Sequence, residues 1–312
     1  MKILIMGSGS VGGYFGAVLS RAGHEVVFIA RGSHLEAINS SGLRVKSDAM
    51  GTFEVQASGM ERPDGSWKAD LVLYCVKGYD NHTGVPTIGP AVGDGTVVLT
   101  LQNGMGSVDA LAAAYGREAV LPGLTYVDAT RTGPGAVSEF GLKAPDIVFG
   151  EEDGRESARV SRVRKALDVE GIDVKVADDI TKELWSKFIY ICGLSGSTCI
   201  TRSTFDQVVM TPHTLEFVRS IMREAYAVSQ ALGVNIAADY VDTTVDYFVS
   251  IKGENTSSMY TDLMRGSPIE VEVLNGAVAR MGAEVSVPTP VNSFIATCLS
   301  LYHARAMEER GS

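Results

Sequence analysis

The first sixteen residues, MKILIMGSGSVGGYFG, constrain the fold more than any other part of the chain. A short apolar run leads directly into Gly7, Gly9 and Gly12, and a helix-like pattern follows. In dinucleotide-binding folds such glycines allow a tight turn, a close approach of the backbone to pyrophosphate, and tight packing of helix on strand. A second strand-like run at 25–30 follows at βαβ spacing. We therefore predict a pyrophosphate site at the helix N-terminus rather than a glycine-rich turn without a ligand.

The residues that end the second strand indicate which dinucleotide is bound. NAD-binding folds place Asp or Glu here to accept the ribose 2′-hydroxyl, whereas a basic residue suits the 2′-phosphate of NADP. This chain has Ala30 and Arg31 at that point. We predict NADP(H), with the Arg31 guanidinium on the 2′-phosphate in a charge-assisted contact. The alternative is a solvated surface arginine.

Short β-rich runs alternate with helical or turn segments up to about residue 177. This alternation is typical of an α/β fold with a doubly wound parallel sheet, so we predict a Rossmann domain at 1–177 with antiparallel pieces added late. Two alternating runs around Gly51 predict a small hairpin, and the glycine-containing stretch 130–144 predicts a turn-rich excursion. The predicted sheet strands are 2–6, 26–30, 71–76, 96–101, 119–124, 146–150 and 173–176.

Strand signals disappear in the second part of the chain, where helical patterns take over. We predict an all-α substrate domain at 178–312, with helices at 183–195, 215–232, 239–252 and 271–281. Gly276 would lie inside the last of these helices. Because a mid-helix glycine costs up to about 1 kcal/mol, we expect another element to approach its backbone closely.

The charge and apolar patterning exclude several kinds of partner. The formal net charge is −10, whereas nucleic-acid binders usually carry a basic face. No apolar stretch reaches the roughly 18 to 20 residues of a membrane span, and the first apolar run is too short for a signal peptide, so we expect the cytoplasm. The four cysteines and five histidines show no metal-ligand spacing, so we expect no metal site.

Three polar residues have both a structural and a functional interpretation. Lys77 and Asn103 follow two of the predicted strands, where doubly wound sheets bind ligands, although Asn-Gly is also a favoured turn pair. Lys187 follows Glu183 by four residues, which favours an exposed ion pair worth about 0.2–0.5 kcal/mol. Alternatively, it faces a polar group, because large apolar residues cover the other sides of its helix.

Taken in order along the chain, these motifs resemble the ketopantoate reductase family, the 2-dehydropantoate 2-reductases. The resemblance runs essentially end to end. It implies an NADPH-dependent enzyme that reduces a 2-keto acid to a 2-hydroxy acid, most directly 2-dehydropantoate to pantoate. The matching parts are GSGSVGG with Arg31, the strand ending in Lys77, QNGMG, ELWSK, NTSSM, and the tail from RGSPIEVEVLNG to VPTPVN.

The resemblance also implies roles for individual residues. Lys187 matches the lysine that protonates the carbonyl oxygen, Glu270 a carboxylate expected to be catalytic and to contact the cofactor, and Ser258 a substrate-binding hydroxyl. An ammonium at the carbonyl oxygen would stabilise the charge that hydride delivery builds there and donate the proton. Asn103 is expected to contact both cofactor and substrate. The other expected cofactor contacts are Gly7, Ser8, Gly9, Ser10, Val11, Gly12, Arg31, Lys77 and, through its backbone, Ala129.

Three positions depart from the family pattern. Where pantoate-forming enzymes carry asparagines that hold the substrate, this chain has Ile191, Ser195 and, near the third position, Phe205. Loss of amide hydrogen bonds discriminates strongly against a hydroxylated substrate. We therefore expect these side chains around the substrate tail, in either a divergent reductase of 2-dehydropantoate or a paralogue for a more apolar 2-keto acid.

Two further functions stay open at this point. One is a related dehydrogenase of a hydroxy acid or an opine. The other is a silent NADP-binding sensor, which is disfavoured because Lys187, Ser258 and Glu270 are retained together. The expected partner is a small-molecule 2-keto acid rather than a nucleic acid or a membrane, and a homodimer is one assembly that we consider.

Overall fold

The computed structural model describes residues 1–141, 143–250 and 256–311 and forms two compact units. The first contains residues 1–102 and 107–180, and the second contains residues 103–106 together with those from 181 onward. Leu142 in the predicted turn-rich stretch, residues 251 and 252 of the predicted helix 239–252, and Asn255 of the NTSSM motif lie outside the described residues.

The described residues of the first unit form twelve strands and five α-helices, which are numbered here along the chain. The strands are β1 (Lys2–Met6), β2 (Glu25–Ile29), β3 (Leu43–Ser47), β4 (Gly51–Val55), β5 (Ser58–Met60), β6 (Leu71–Tyr74), β7 (Val97–Thr100), β8 (Val120–Tyr126), β9 (Ala129–Gly133), β10 (Ala136–Glu139), β11 (Asp146–Phe149) and β12 (Asp173–Val176). The helices are α1 (Ser10–Arg21), α2 (Gly32–Ser41), α3 (Asn81–Ile88), α4 (Ser107–Tyr115) and α5 (Ala158–Leu167).

An eight-stranded sheet in the order β12-β11-β8-β7-β6-β1-β2-β5 forms the core of the first unit. Neighbouring strands are parallel except for β8 and β11, which are antiparallel. Along β1, Ile3 and Ile5 enter one apolar cluster, whereas Leu4 and Met6 enter another, so both faces of the sheet are buried. Strands that are buried on both faces are typically continuous apolar runs. This explains why β6 and β7 have the sequences LVLY and VVLT.

The predicted fold class is confirmed: a doubly wound, mostly parallel sheet precedes a helical region. All seven predicted strands lie in this sheet, with their ends shifted by at most two residues. The three-residue β5 was not predicted, because it contains no apolar run long enough to indicate a strand.

A second, four-stranded sheet has the order β4-β3-β10-β9. The predicted hairpin around Gly51 is confirmed, because β3 and β4 pair antiparallel. The prediction of a turn-rich excursion at 130–144 is wrong in part, since β9 and β10 lie within that stretch. β9 and β10 pair antiparallel with each other, and β10 also runs parallel to the distant β3. That register is a tertiary contact which local composition does not reveal.

Helices alone form the regular structure of the second unit among its described residues. They are α6 (Ile180–Thr201), α7 (Phe205–Met210), α8 (Pro212–Ala231), α9 (Tyr240–Ser250), α10 (Ser258–Met264), α11 (Asn275–Glu284) and α12 (Pro290–Gly311). The helices α7 and α10 were not predicted, because they are too short to show a period. The prediction also missed α12, which lacks a distinct apolar stripe.

The prediction that residues 271–281 form one helix is wrong, because α11 begins only at Asn275. A turn precedes it, in which the Leu274 amide donates to the Glu270 carbonyl. Gly276 therefore lies in the first turn of the helix rather than in its middle. A Cβ on Gly276 would come within 3.1 Å of the Val271 carbonyl oxygen, so this preceding turn is the element that approaches it.

Candidate functional site

The three glycines of the first turn have different structural requirements. Gly7 has φ +93°, and a Cβ there would lie 2.8 Å from the Val76 amide nitrogen. A Cβ on Gly12 would lie 2.3 Å from the Gly7 carbonyl oxygen. A Cβ on Gly9, in contrast, would meet no protein atom within 4 Å. The fold itself therefore requires Gly7 and Gly12, whereas Gly9 leaves open space beside the start of α1, which fits a pyrophosphate.

The N-terminus of α1 is suited to bind an anion. Gly9 is its N-cap residue and provides no side-chain cap. The first backbone amides of the helix, including those of Ser10 and Val11, are thus the groups that a helix leaves for a cap or a ligand. The Ser8 hydroxyl instead donates to the Ile29 carbonyl at 2.9 Å, so its side chain fixes the loop.

The other expected cofactor residues of the first unit lie beyond the ends of their strands. Arg31 is exposed and is the N-cap residue of α2, two residues after β2 ends. Lys77 is half-buried and lies three residues after β6. Ala129, also half-buried, begins β9. Gln102 was not predicted, but its side-chain amide donates to the Val76 carbonyl and to Asn81 Oδ1, both at 2.8 Å, and so joins the loops after β6 and β7.

In the second unit, Asn103 lies on a short loop that is fixed against the turn before α11. Gly104 has φ +80°, and a Cβ there would lie 2.2 Å from the Val273 carbonyl oxygen. The Met105 amide donates to the same oxygen at 3.0 Å. The backbone bends at Asn103 and Gly104, and this bend brings Asn103 to Lys187.

Lys187 is buried on α6 and hydrogen-bonded. Its Nζ donates to Asn103 Oδ1 at 2.9 Å, and only 9% of the residue is exposed. The alternative of an exposed ion pair with Glu183 is wrong, because the side chain is not at the surface. Burial lowers the pKa of Lys187 from 10.5 to about 8, although the carboxylate of Glu270 opposes this shift by favouring the charged form.

Lys187, Asn103 and Glu270 thus form one polar cluster within the second unit. Glu270 is itself buried, at 4% exposed, and belongs to the turn against which the Asn103 loop packs. A buried ammonium whose pKa lies near neutrality, beside a carboxylate and an amide oxygen, can donate a proton and stabilise a developing negative charge.

The remaining expected substrate residues differ in exposure. Ser258 is exposed at the start of α10, and Ile191 is half-buried on α6. Ser195 is completely buried, and its hydroxyl has no hydrogen-bond partner among the residues that the structure describes. Phe205 packs in the apolar core, with its ring centroid 4.6 Å from that of Phe248. The structure gives Ser195 and Phe205 interior positions, and their contact with a substrate stays a prediction.

Two other kinds of feature are absent from the described part of the chain. None of its helices combines the length and apolarity required to cross a lipid bilayer. Over the same residues, no three His, Cys, Asp or Glu side chains lie together in a way that could hold a metal ion.

Comparison with known proteins finds the same family along both units. Residues 3–154 match the family model described as "Ketopantoate reductase PanE/ApbA". Residues 179–303 match the one described as "Ketopantoate reductase PanE/ApbA C terminal". Together the two models cover most of the chain.

Individual relatives and solved structures agree with this match. The chain is 33% identical to a 2-dehydropantoate 2-reductase of Archaeoglobus fulgidus, over 93% of this chain and 94% of that protein. It is 31% identical to one of Mesorhizobium japonicum, over 99% of this chain and 98% of that protein. The crystal structure of a ketopantoate reductase from Ralstonia eutropha superposes with a TM-score of 0.89 at 31% identity, covering 98% of this chain and all of that one.

Proposed function

The chain belongs to the ketopantoate reductase family of oxidoreductases, and we propose that it reduces a 2-keto acid to a 2-hydroxy acid with NADPH. The first substrate that we propose is 2-dehydropantoate. The observation that carries the proposal is the buried Lys187 ammonium, hydrogen-bonded to Asn103 and within electrostatic range of Glu270. A silent NADP-binding sensor would not need this cluster.

The residues of the first unit fit a bound NADPH. Its pyrophosphate would lie on the amides at the start of α1, in the space beside Gly9, and its 2′-phosphate on the exposed guanidinium of Arg31. Lys77 would contribute a further positive charge to the phosphates or ribose. When bound, the nicotinamide supplies a hydride to the keto carbon of the substrate.

Lys187 would serve as the general acid. Negative charge develops on the substrate oxygen as its carbon is reduced, and the Nζ ammonium would first stabilise this charge and then transfer its proton to the oxygen. With a pKa of about 8, Lys187 is mostly protonated at neutral pH and gives up its proton more readily than an ordinary lysine. The bond to Asn103 Oδ1 would hold the ammonium in position.

Glu270 would keep this acid charged. Desolvation favours neutral Lys187, and the nearby carboxylate is the group that counters it. Without the carboxylate, the pKa of Lys187 would fall further, and less of the ammonium form would be present at neutral pH. Glu270 therefore acts on the reaction through the protonation state of Lys187.

The residues expected around the substrate tail decide which 2-keto acid is preferred. Ile191, one turn after Lys187, is an aliphatic and half-buried side chain, which favours a second candidate: a reductase of a more apolar 2-keto acid. The two candidates share every step at the keto group and differ only in the contacts of the tail.

The deciding experiment measures NADPH oxidation with 2-dehydropantoate and with a panel of branched and aromatic 2-keto acids. A higher kcat/KM for 2-dehydropantoate than for every analogue would support the first candidate and exclude the second. If an apolar substrate is preferred, Ile191→Asn combined with Ser195→Asn should move the preference back, by about tenfold for each 1.4 kcal/mol of transition-state binding. No oxidation of NADPH with any 2-keto acid would contradict both.

A further inference from the structure

We propose that His34 is a positioning residue for cofactor binding. It holds the loop of residues 7–9, called the glycine loop below, and the segment that carries Arg31 in one fixed arrangement. This inference rests on the proposed binding of NADPH at that loop. His34 lies on α2, three residues after Arg31, and is only 5% exposed. Nothing in the pattern of the sequence distinguished it from the other four histidines.

Both ring nitrogens of His34 are hydrogen-bonded to backbone groups. Nε2 lies 2.7 Å from the Ser8 carbonyl oxygen, and Nδ1 lies 3.0 Å from the Gly135 amide nitrogen. A backbone amide can only donate, so Nδ1 must accept from Gly135. Nε2 therefore carries the proton and donates to Ser8. This pairing requires the neutral ring in one tautomer.

The bond to Ser8 connects two parts of the first unit that would hold the cofactor. Ser8 lies between Gly7 and Gly9, so the bond from His34 fixes the loop that would receive the pyrophosphate. The same helix begins directly after Arg31, which would receive the 2′-phosphate. The buried His34 side chain thus joins the loop at one proposed phosphate position to the helix that begins at the other, in addition to the bond of the Ser8 hydroxyl to Ile29.

The opposite side of the ring is fixed by a tightly packed turn between β9 and β10. Gly135 has φ +64°, and a Cβ there would lie 3.0 Å from Ala37 Cβ and 3.1 Å from the Gly42 carbonyl oxygen. Its own carbonyl accepts from the Arg44 amide at 2.8 Å. The turn is closely packed, so its bond to Nδ1 holds the ring in place. The bond from Nε2 to Ser8 then holds the glycine loop in place.

Protonation of His34 would break this arrangement. A proton on Nδ1 would face the Gly135 amide, donor against donor. Burial lowers the pKa of His34 below its usual 6.5, and the positive charge of Arg131 on β9 lowers it further. Arg31, at the start of the same helix, is the other cation on this segment. The ring is therefore neutral at neutral pH, and acidification should weaken cofactor binding.

The test compares His34→Gln and His34→Ala with the wild-type protein by calorimetric titration of NADPH. The amide nitrogen of glutamine can donate to Ser8 as Nε2 does, but glutamine does not titrate. We expect His34→Ala to raise the Kd about tenfold or more, and His34→Gln to recover most of that loss. His82→Gln is the matched control, because His82 is an exposed histidine of the same unit whose Nδ1 lies 2.9 Å from the Tyr79 carbonyl oxygen. The Kd of this variant for NADPH should equal that of the wild-type protein.

A second measurement follows the Kd of NADP⁺ between pH 5 and 8. The ratio of wild-type to His34→Gln affinity removes the titration of the 2′-phosphate itself. The wild-type protein should lose affinity relative to His34→Gln at the acid end of this range, because burial lowers the pKa of His34 from its usual value. A ratio that is constant with pH, or equal Kd values for NADPH in His34→Ala and wild type, would overturn the proposal. If alanine prevents folding, the glutamine variant and its pH series still decide. Failure of the wild-type protein to bind NADPH would instead refute the proposed function.

Discussion

Replacing the buried lysine should separate activity from stability. In Lys187→Met the side chain keeps its length and loses its charge. If Lys187 is the general acid, turnover should fall by about 10²- to 10⁴-fold while NADPH still binds the first unit. The same change should make the second unit more stable at neutral pH, because a charge that is held away from water is removed.

The size of the stability gain follows from the pKa of Lys187. A pKa lowered from 10.5 to about 8 corresponds to about 3 kcal/mol of disfavoured charging in the folded protein. Loss of the bond to Asn103 offsets about 1 kcal/mol, since Asn103 is half-buried. We expect a net gain of about 2 kcal/mol in the free energy of unfolding.

The gain should also depend on pH in a defined direction. Below pH 8 the lysine is charged in both the folded and the unfolded chain, so the wild-type protein carries the full penalty. Between pH 8 and 10.5 only the unfolded chain binds the proton, so wild-type stability rises with pH. The advantage of Lys187→Met should therefore be complete below pH 8 and disappear near pH 10.5.

Urea unfolding at several pH values measures this effect. Trp185 is buried on the same helix, so a Trp67→Phe background makes its fluorescence a report on the second unit alone. Lys182→Met, at an exposed lysine of α6, is the matched control and should change neither turnover nor stability substantially. Wild-type turnover in Lys187→Met would refute the general-acid role. An unchanged or lowered stability at pH 7 would refute the electrostatic reasoning.

Three further predictions concern the proposed phosphate-binding residues and the Glu270 carboxylate. Arg31→Ala should weaken NADPH by about 1.5–3 kcal/mol and leave NADH nearly unaffected; equal weakening in titrations of both would contradict the 2′-phosphate assignment. Gly9→Ala should fold with near wild-type thermal stability but bind NADPH more weakly. Gly12→Ala should lower the melting temperature as well, because its Cβ would clash with the Gly7 carbonyl oxygen. Similar melting temperatures for the two variants would contradict this prediction. If Lys187 is the general acid, Glu270→Gln should move the alkaline fall of kcat to lower pH, because loss of the carboxylate lowers the pKa of Lys187. Glu272→Gln, at an exposed carboxylate of the same turn, should leave the pH profile unchanged. An unmoved pH profile in Glu270→Gln would show that Glu270 does not control the pKa of Lys187.

Local patterns were sufficient for most of the architecture. The strand, turn and helix around Gly7, Gly9 and Gly12 follow from steric requirements that act over a few residues, and the buried strands of a parallel sheet are continuous apolar runs. The sequence therefore predicted the sheet, the glycine-containing turn after β1 and the change to helices. The resemblance of the ordered motifs added the family, which the comparisons confirm.

Tertiary structure alone decided the environment of the polar groups. Lys187 looked like a surface lysine paired with Glu183, and only its burial beside Asn103, distant in the chain, lowers its pKa. The hydrogen bonds of His34 likewise depend on Ser8 and Gly135, which lie far from it in sequence. Helical and strand periods act between near neighbours, whereas desolvation and hydrogen-bond partners are set by residues that meet only when the chain has folded. For that reason the sequence by itself determined most of the long strands and helices, whereas only the folded structure determined the burial and the hydrogen-bond partners of Lys187 and His34.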